Sequence, residues 1–204
     1  MIGSDTRSLR RLEGAVAVVV LQVVWFASVL GAAQDFLWLG PSLAVVVSLL
    51  YLGYSYSRRR DALLMLFLVA FGAVAESILQ ATGLMRYRGA VVPWLAPAWI
   101  LGLWLQFGML RHGLLRLLVG RPIMAVVLGA VGGPLVYGFG VALGAAEFHP
   151  DVWPSLAALA VVWALALPWA TRRAWRGSLR ATSLAREAAS TESSGTQHPF
   201  NLPR

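Results

Sequence analysis

The sequence has no cysteine among its 204 residues. This excludes disulfides, thiolate metal sites, iron–sulfur clusters and cysteine nucleophiles. The three histidines, His112, His149 and His198, are scattered, and no pair of them has the spacing of metal ligands. Phosphate-binding loops, dinucleotide-binding fingerprints and zinc-protease motifs are also missing from the sequence. We therefore expect neither a metal site nor a cofactor.

Charged residues are scarce as well, at 13% of the chain, against about a quarter in a soluble domain. Hydrophobic residues make up 58%, and the mean hydropathy is +0.69. A helix needs about 20 apolar residues to cross a bilayer. Six continuous runs approach this length, which favours helices over the alternating strands of a β-barrel: 12–31, 37–54, 62–84, 95–118, 123–144 and 153–171. The predicted fold class is all-α, a polytopic membrane bundle of six transmembrane helices.

Lysine is absent too, so arginine supplies all 17 basic residues and a net charge of +8. Fifteen arginines lie on one predicted side: before the first run, between the second and third, at the end of the fourth and in the loop after it, or after the last run. Only Arg86 and Arg88 lie on the other side. This asymmetry predicts that both termini are cytoplasmic. It also favours contact with anionic lipid headgroups over nucleic-acid binding.

The charge pattern divides the chain into three parts. Residues 1–11 are predicted to form a cytoplasmic N-terminal segment, 12–171 the membrane domain, and 172–204 a basic and then disordered cytoplasmic tail. An alternative is that the first run is a cleaved signal peptide. Its apolar stretch is longer than the 7–15 residues of a signal peptide, and removing it would spoil the charge alternation. We therefore expect it to be retained.

Four blocks of sequence resemble one family of bacterial inner-membrane proteins, known as domain of unknown function 2878. The blocks are WFASVLGAAQDFLWLGP (25–41), AESILQATGLMRY (75–87), PAWILGLWLQFGMLRH (97–112) and GAVGGPLVYGFGVALGA (129–145). The resemblance covers about residues 12–171. It implies a six-helix inner-membrane protein without an established activity. Genes of this family are often found near lipid-modifying enzymes such as cyclopropane-fatty-acid synthase-like methyltransferases, which favours a lipid ligand.

The family pattern transfers to particular positions of this chain. It has a glutamate in the third helix, followed by a tyrosine, a Pro-x-Trp, a histidine late in the fourth helix and a Gly-Gly-Pro. The matching residues here are Glu76, Tyr87, Pro97, Trp99, His112, Gly132, Gly133 and Pro134. The residue before the histidine is often asparagine in the family, whereas here it is Arg111.

Glu76 is the residue that most strongly indicates a site. It stands inside the third run, about 12 Å from the predicted outer end at about 1.5 Å per residue. An unpaired charge at such a depth costs at least about 2.5 kcal/mol, so we expect Glu76 to face the bundle interior. Gln80 and Tyr87 follow on the same helical face. Glu76 is therefore the candidate catalytic residue, as a general acid or base.

Polar and indole groups on other runs fall at a similar depth, and together with Glu76 they predict one polar layer in the outer half of the membrane. The candidates for a ligand pocket are Gln22, Trp25, Gln80, Tyr87, Trp99, Trp104, Gln106 and Tyr137. A clamp between helices explains the same layer, with Arg86 or Arg88 reaching inward to pair with Glu76. Both interpretations stay open.

Two classes of function fit these observations, and the sequence does not decide whether the protein is an enzyme. The first is a membrane accessory protein that binds or moves a lipid or isoprenoid, or that assembles with partner membrane proteins. The second is a cofactor-free membrane enzyme acting on a lipid or isoprenoid double bond through Glu76. A secondary transporter is a third class, disfavoured by six runs without a visible repeat.

Overall fold

The structure is a computed structural model. It describes the backbone of residues 5–112 and 114–195, and the side chains of Val16, 18–111 and 115–173. The fold is mainly α-helical. Its elements are α1 (Asp5–Ala33), α2 (Leu39–Tyr54), α3 (Arg58–Ala81), β1 (Met85–Tyr87), α4 (Ala98–Phe107), a 3₁₀ turn (Gly108–His112), α5 (Leu114–Leu117), α6 (Pro122–Ala142), β2 (Ala146–Phe148) and α7 (Val152–Gly195).

Three helical stretches in the described residues are long and apolar enough to cross a membrane: Arg58–Ala81, Pro122–Ala142 and Val152–Arg173. Two shorter apolar stretches, Val18–Ala33 and Leu39–Tyr54, accompany them. Each long stretch exceeds the roughly 20 residues that span the hydrocarbon core. The chain therefore has the helices of a membrane protein.

The fourth predicted helix, 95–118, is interrupted in the structure. Pro97 precedes α4 and lacks an N–H to extend the helix backwards. Helix α4 then ends after ten residues, where Gly108 packs against α3 so closely that an added Cβ would lie 2.5 Å from the Met65 Cγ atom. The 3₁₀ turn and α5 complete the segment. Glycine is thus required at the point where the helix changes its winding.

The C-terminal tail continues the last helix of the bundle. Helix α7 continues past residue 171 as far as Gly195, where the sequence predicts a basic and then disordered segment. This stretch is rich in Ala, Leu, Arg and Glu, which are among the better helix formers, so a helix that starts in the bundle can propagate through it. Residues 196–204 lie outside the described part of the chain.

A two-stranded antiparallel ribbon, not anticipated from the sequence, joins the loop after α3 to the loop after α6. Its register pairs Met85 with Phe148, Arg86 with Glu147, and Tyr87 with Ala146. Alternate residues of a strand point to opposite faces; accordingly Met85, Tyr87 and Ala146 are buried, whereas Arg86 and Glu147 are exposed. We call this element the outer ribbon, because it lies at the end of the bundle that the arginine pattern predicts to face outward.

Helices α6 and α7 pack closely along their length. An added Cβ at Gly129 would lie 2.2 Å from the carbonyl oxygen of Trp163, and one at Gly133 would lie 2.3 Å from the Trp163 ring. Glycines four residues apart let two helix backbones approach in this way. The contact places the Trp163 ring against α4, where it stacks on Trp104 with ring centroids 4.8 Å apart.

Candidate functional site

Glu76 lies on α3 and is 0% exposed. Its carboxylate accepts three hydrogen bonds from three different elements. The Trp104 indole donates to Oε1 at 2.9 Å from α4, the Tyr137 hydroxyl donates to the same oxygen from α6, and the Tyr87 hydroxyl donates to Oε2 at 2.5 Å from β1. We call these four residues the Glu76 cluster. It joins α3, α4, α6 and the outer ribbon at one point.

The local sequence explains how these side chains meet. Gly72 lies one turn before Glu76, and an added Cβ there would lie 2.3 Å from the Trp104 ring, so only glycine leaves room for the indole. Tyr87 points inward because its neighbours Arg86 and Arg88 occupy the other face of the strand. Tyr137 follows one turn after Pro134 in α6. The position of each donor thus depends on a glycine, a strand or a proline close to it in the fold.

The donors explain how a carboxyl group is accommodated in an apolar interior. A buried polar group without a partner is costly, and a buried charge more so. An indole N–H can only donate, which makes the Glu76 carboxylate its natural acceptor. Burial raises the pKa of the Tyr87 hydroxyl well above its ordinary value of 10.0, so that Tyr87 stays protonated and remains a donor.

Neither arginine of the outer side takes part in the cluster. Arg86 and Arg88 are both exposed, and Arg88 donates instead to the carbonyl oxygen of Ala33 at 3.3 Å. An ion pair lies elsewhere, between Arg111 and Asp61. The predicted inward reach of Arg86 or Arg88 to Glu76 is therefore wrong, because two tyrosines and a tryptophan already fill the space around the carboxylate.

Three further candidates lie around the cluster or above it. Trp25 is half-buried and packs against the same core as Tyr87 and Trp99. Gln80 bridges the outer loop, donating to the Leu95 carbonyl and accepting from the Tyr87 backbone N–H, both at 3.2 Å. Trp99 donates to the Arg88 carbonyl at 2.9 Å, and its ring meets the Tyr87 ring edge to face at 6.0 Å. Gln80 and Trp99 thus hold the loop that carries Tyr87.

Gln106 and Gln22 are not brought to Glu76. Gln106 is buried against α2, where its amide donates to the Ala44 carbonyl at 2.8 Å and to the Ser48 hydroxyl at 3.1 Å. Gln22 is exposed on α1. Residues two apart on a helix face different sides, so Gln106 turns away from Glu76 when Trp104 faces it. The depth of each residue in the membrane predicted one shared polar layer. In the structure, the rotation of each helix about its own axis turns Gln106 and Gln22 away from Glu76.

A second buried carboxylate, Asp61, was missed by the sequence analysis. It is 0% exposed near the start of α3 and forms an ion pair with Arg111 of the 3₁₀ turn. Hydroxyl groups of Tyr51, Ser55 and Ser57 also donate to it. The sequence feature that could have indicated this site is an acidic residue in the first turn of a helix, where the helix dipole favours negative charge. The neighbouring His112 side chain lies outside the described part of the chain.

Two clefts lie above the Glu76 cluster, on either side of the Tyr87 and Trp99 rings. The polar cleft, of ≈ 390 Å³, is lined by Gln80, Thr82, Gly83, Arg86, Tyr87 and Pro93, together with Ala81. The apolar cleft, of ≈ 180 Å³, has Leu37, Trp38, Val91, Val92, Leu95 and Trp99 among its lining residues. Glu76 lines neither of them. Tyr87 connects the polar cleft to the Glu76 cluster, because it lines the cleft and its hydroxyl donates a hydrogen bond to Glu76.

These features define a mainly helical membrane protein with a sealed acidic cluster beneath two outer clefts. Within that class the chain belongs to the family described as "Protein of unknown function (DUF2878)", whose model matches residues 15–169. The resemblance drawn from the four sequence blocks is thereby confirmed. No match is found among curated proteins or among solved structures.

Proposed function

We propose that this protein is a non-enzymatic accessory protein of the bacterial inner membrane. It crosses the membrane six times with both ends in the cytoplasm, and it binds a lipid or an isoprenoid at its outer end. In addition to the three long helices, α1, α2 and the interrupted α4–α5 segment supply the remaining three crossings. Residues 98–117 of that last segment approach the length needed for one crossing.

The observation that carries the proposal is the pair of adjoining clefts. Trp38 and Val91 at the rim of the apolar cleft are 73% and 92% exposed, as expected of side chains that sit among lipids at a membrane interface. The polar cleft next to it carries Arg86. An apolar opening beside a polar one suits a molecule with a chain and a headgroup.

The Glu76 cluster supports a binding protein over an enzyme. Its carboxylate accepts from three protein donors and lines neither cleft, so it serves to hold β1 and Tyr87 beneath the clefts. A general acid or base must reach the proton it transfers, directly or through one water. The sealed position leaves a direct approach to Glu76 closed.

The test is to purify the protein in mild detergent and measure retained lipid by native mass spectrometry. Ala98→Trp adds bulk at the apolar cleft, which Ala98 lines, and we expect it to retain less lipid than the wild type. Ala142→Trp, at the exposed end of α6 away from both clefts, is the matched control and should retain as much as the wild type. Equal retention in all three proteins would refute lipid binding at this place.

The alternative is a membrane enzyme acting on a lipid or isoprenoid double bond, with Glu76 as general acid or base. One observation favours it: Tyr87 links Glu76 to the polar cleft through a hydrogen bond. Incubation of the purified protein with a membrane lipid extract distinguishes the two functions. An enzyme changes lipid masses, or the double-bond positions that fragment spectra report if it isomerises the double bond, and it loses that activity in Glu76→Gln. A binding protein leaves both unchanged.

A further inference from the structure

The outward face of the outer ribbon presents charges that the Glu76 cluster does not use. Arg86 and Glu147 are direct partners in the strand register and therefore share this face. Both are exposed, yet no ion pair joins them within the described side chains. The Arg86 guanidinium makes no hydrogen bond to another described residue either, although it borders the polar cleft. A cation is thus available beside a cavity.

The polar cleft is also lined by the electronegative end of a helix. Gln80, Thr82 and Gly83 form the carboxyl end of α3, which stops at Ala81 and turns at Gly83 with a φ of 73°. The last carbonyls of a helix carry partial negative charge and attract cations. The cleft therefore offers Arg86 to an anionic group and the end of α3 to a cationic one.

Glu147 favours a ligand without net charge over a ligand with a net negative charge. Lying across the ribbon from Arg86, it repels a phosphate held by Arg86 and attracts a positive group on the same ligand. The two effects oppose each other for a zwitterion, whereas an anionic headgroup experiences only the repulsion.

From this arrangement we infer that the polar cleft binds the headgroup of a zwitterionic aminophospholipid, its phosphate held by Arg86 and its ammonium group facing the carboxyl end of α3. The inference rests on the proposed lipid-binding function and adds the class of headgroup. The acyl chains of such a lipid extend into the bilayer beside the exposed apolar loop at 91–95.

The experiment titrates the full-length protein with phosphatidylethanolamine and, separately, with phosphatidylglycerol, measuring bound lipid by native mass spectrometry. The wild type should prefer phosphatidylethanolamine. Arg86→Gln should weaken binding of both lipids by up to about fivefold. Glu147→Gln should raise the affinity for phosphatidylglycerol by a similar factor and leave phosphatidylethanolamine nearly unchanged. The variants change exposed side chains, and tryptophan fluorescence checks that each remains folded.

Matched controls are present in the same chain. Arg88→Gln removes an exposed arginine that directly follows the strand and lines neither cleft. Asp151→Asn removes another exposed acid of the outer side. Both variants should keep the wild-type preference. Lipid binding that is insensitive to Arg86 and Glu147 would overturn the headgroup assignment while leaving the proposed function intact. If the wild type binds neither lipid, the headgroup assignment fails, and lipid retention in the Ala98→Trp comparison shows separately whether the proposed function fails with it.

Discussion

Replacing Glu76 separates the loss of its hydrogen bonds from the loss of its charge. In Glu76→Ala, the Trp104 indole and the Tyr87 and Tyr137 hydroxyls all lose their acceptor in the protein interior. A buried donor without a partner costs about 1–3 kcal/mol, and hydrogen bonds between membrane helices average about 0.6 kcal/mol. The three together predict a loss of about 2–9 kcal/mol in the free energy of unfolding.

Glu76→Gln should behave differently. Its amide oxygen can still accept from Trp104 and Tyr137, and its NH₂ group can donate to the Tyr87 hydroxyl, which has free lone pairs. The Tyr87 O–H, which donates to Glu76 in the wild type, then lacks an acceptor, so we expect Glu76→Gln to cost about 1–3 kcal/mol, less than the alanine variant.

Unfolding of the purified protein in mixed detergent, followed by tryptophan fluorescence, measures both variants against the wild type. Trp104 contacts the substituted side chain directly, so its emission also reports loss of the cluster. The argument is refuted if the alanine variant is as stable as the wild type, because the three donors would then have other partners. It is equally refuted if glutamine destabilises as much as alanine, because the charge would then be what the cluster needs.

Two further predictions concern the cytoplasmic end and the orientation. Asp61→Ala removes the ion-pair partner of Arg111, whose side chain is 10% exposed, and should lower the free energy of unfolding by about 3–5 kcal/mol. The double variant Asp61→Ala/Arg111→Ala should lose less stability than the sum of the two single variants. Additive losses in the same unfolding assay would contradict the pairing. A reporter that is active only in the periplasm, fused after Arg176, should stay silent because fifteen arginines favour a cytoplasmic C-terminal side; a strong signal would reverse the orientation and place the clefts at the inner leaflet.

Much of the Glu76 cluster was predictable, because the cost of an acid in an apolar run requires it to face the interior. Helical spacing placed Tyr87 on the same side, and depth suggested Trp104 and Tyr137. Depth gives only the height of a residue, however, and the rotation of each helix depends on packing. That is why Gln106 faces α2 and Gln22 faces outward.

The outer ribbon and the buried position of Asp61 had weaker signals in the sequence. Strands of three residues are too short for an alternating pattern to stand out. Asp61 follows three arginines, so the charge pattern indicated only a cytoplasmic loop. Its pairing depends on the 3₁₀ turn that brings Arg111 to α3, and that turn results from tertiary contact at Gly108 rather than from local sequence alone.

The two buried carboxylates together determine which parts of the bundle can move to admit a ligand. Asp61 and Glu76 are 15 residues apart on α3, or about 22 Å along its axis, and each is bonded to other elements. Helix α3 is therefore fixed near both ends, to the 3₁₀ turn at one and to α4, α6 and β1 at the other. The segment between Arg88 and Pro97 carries no such buried charge and exposes Val91 and Trp94. Opening of the clefts should accordingly take place in this segment, while α3 and the Glu76 cluster keep their positions.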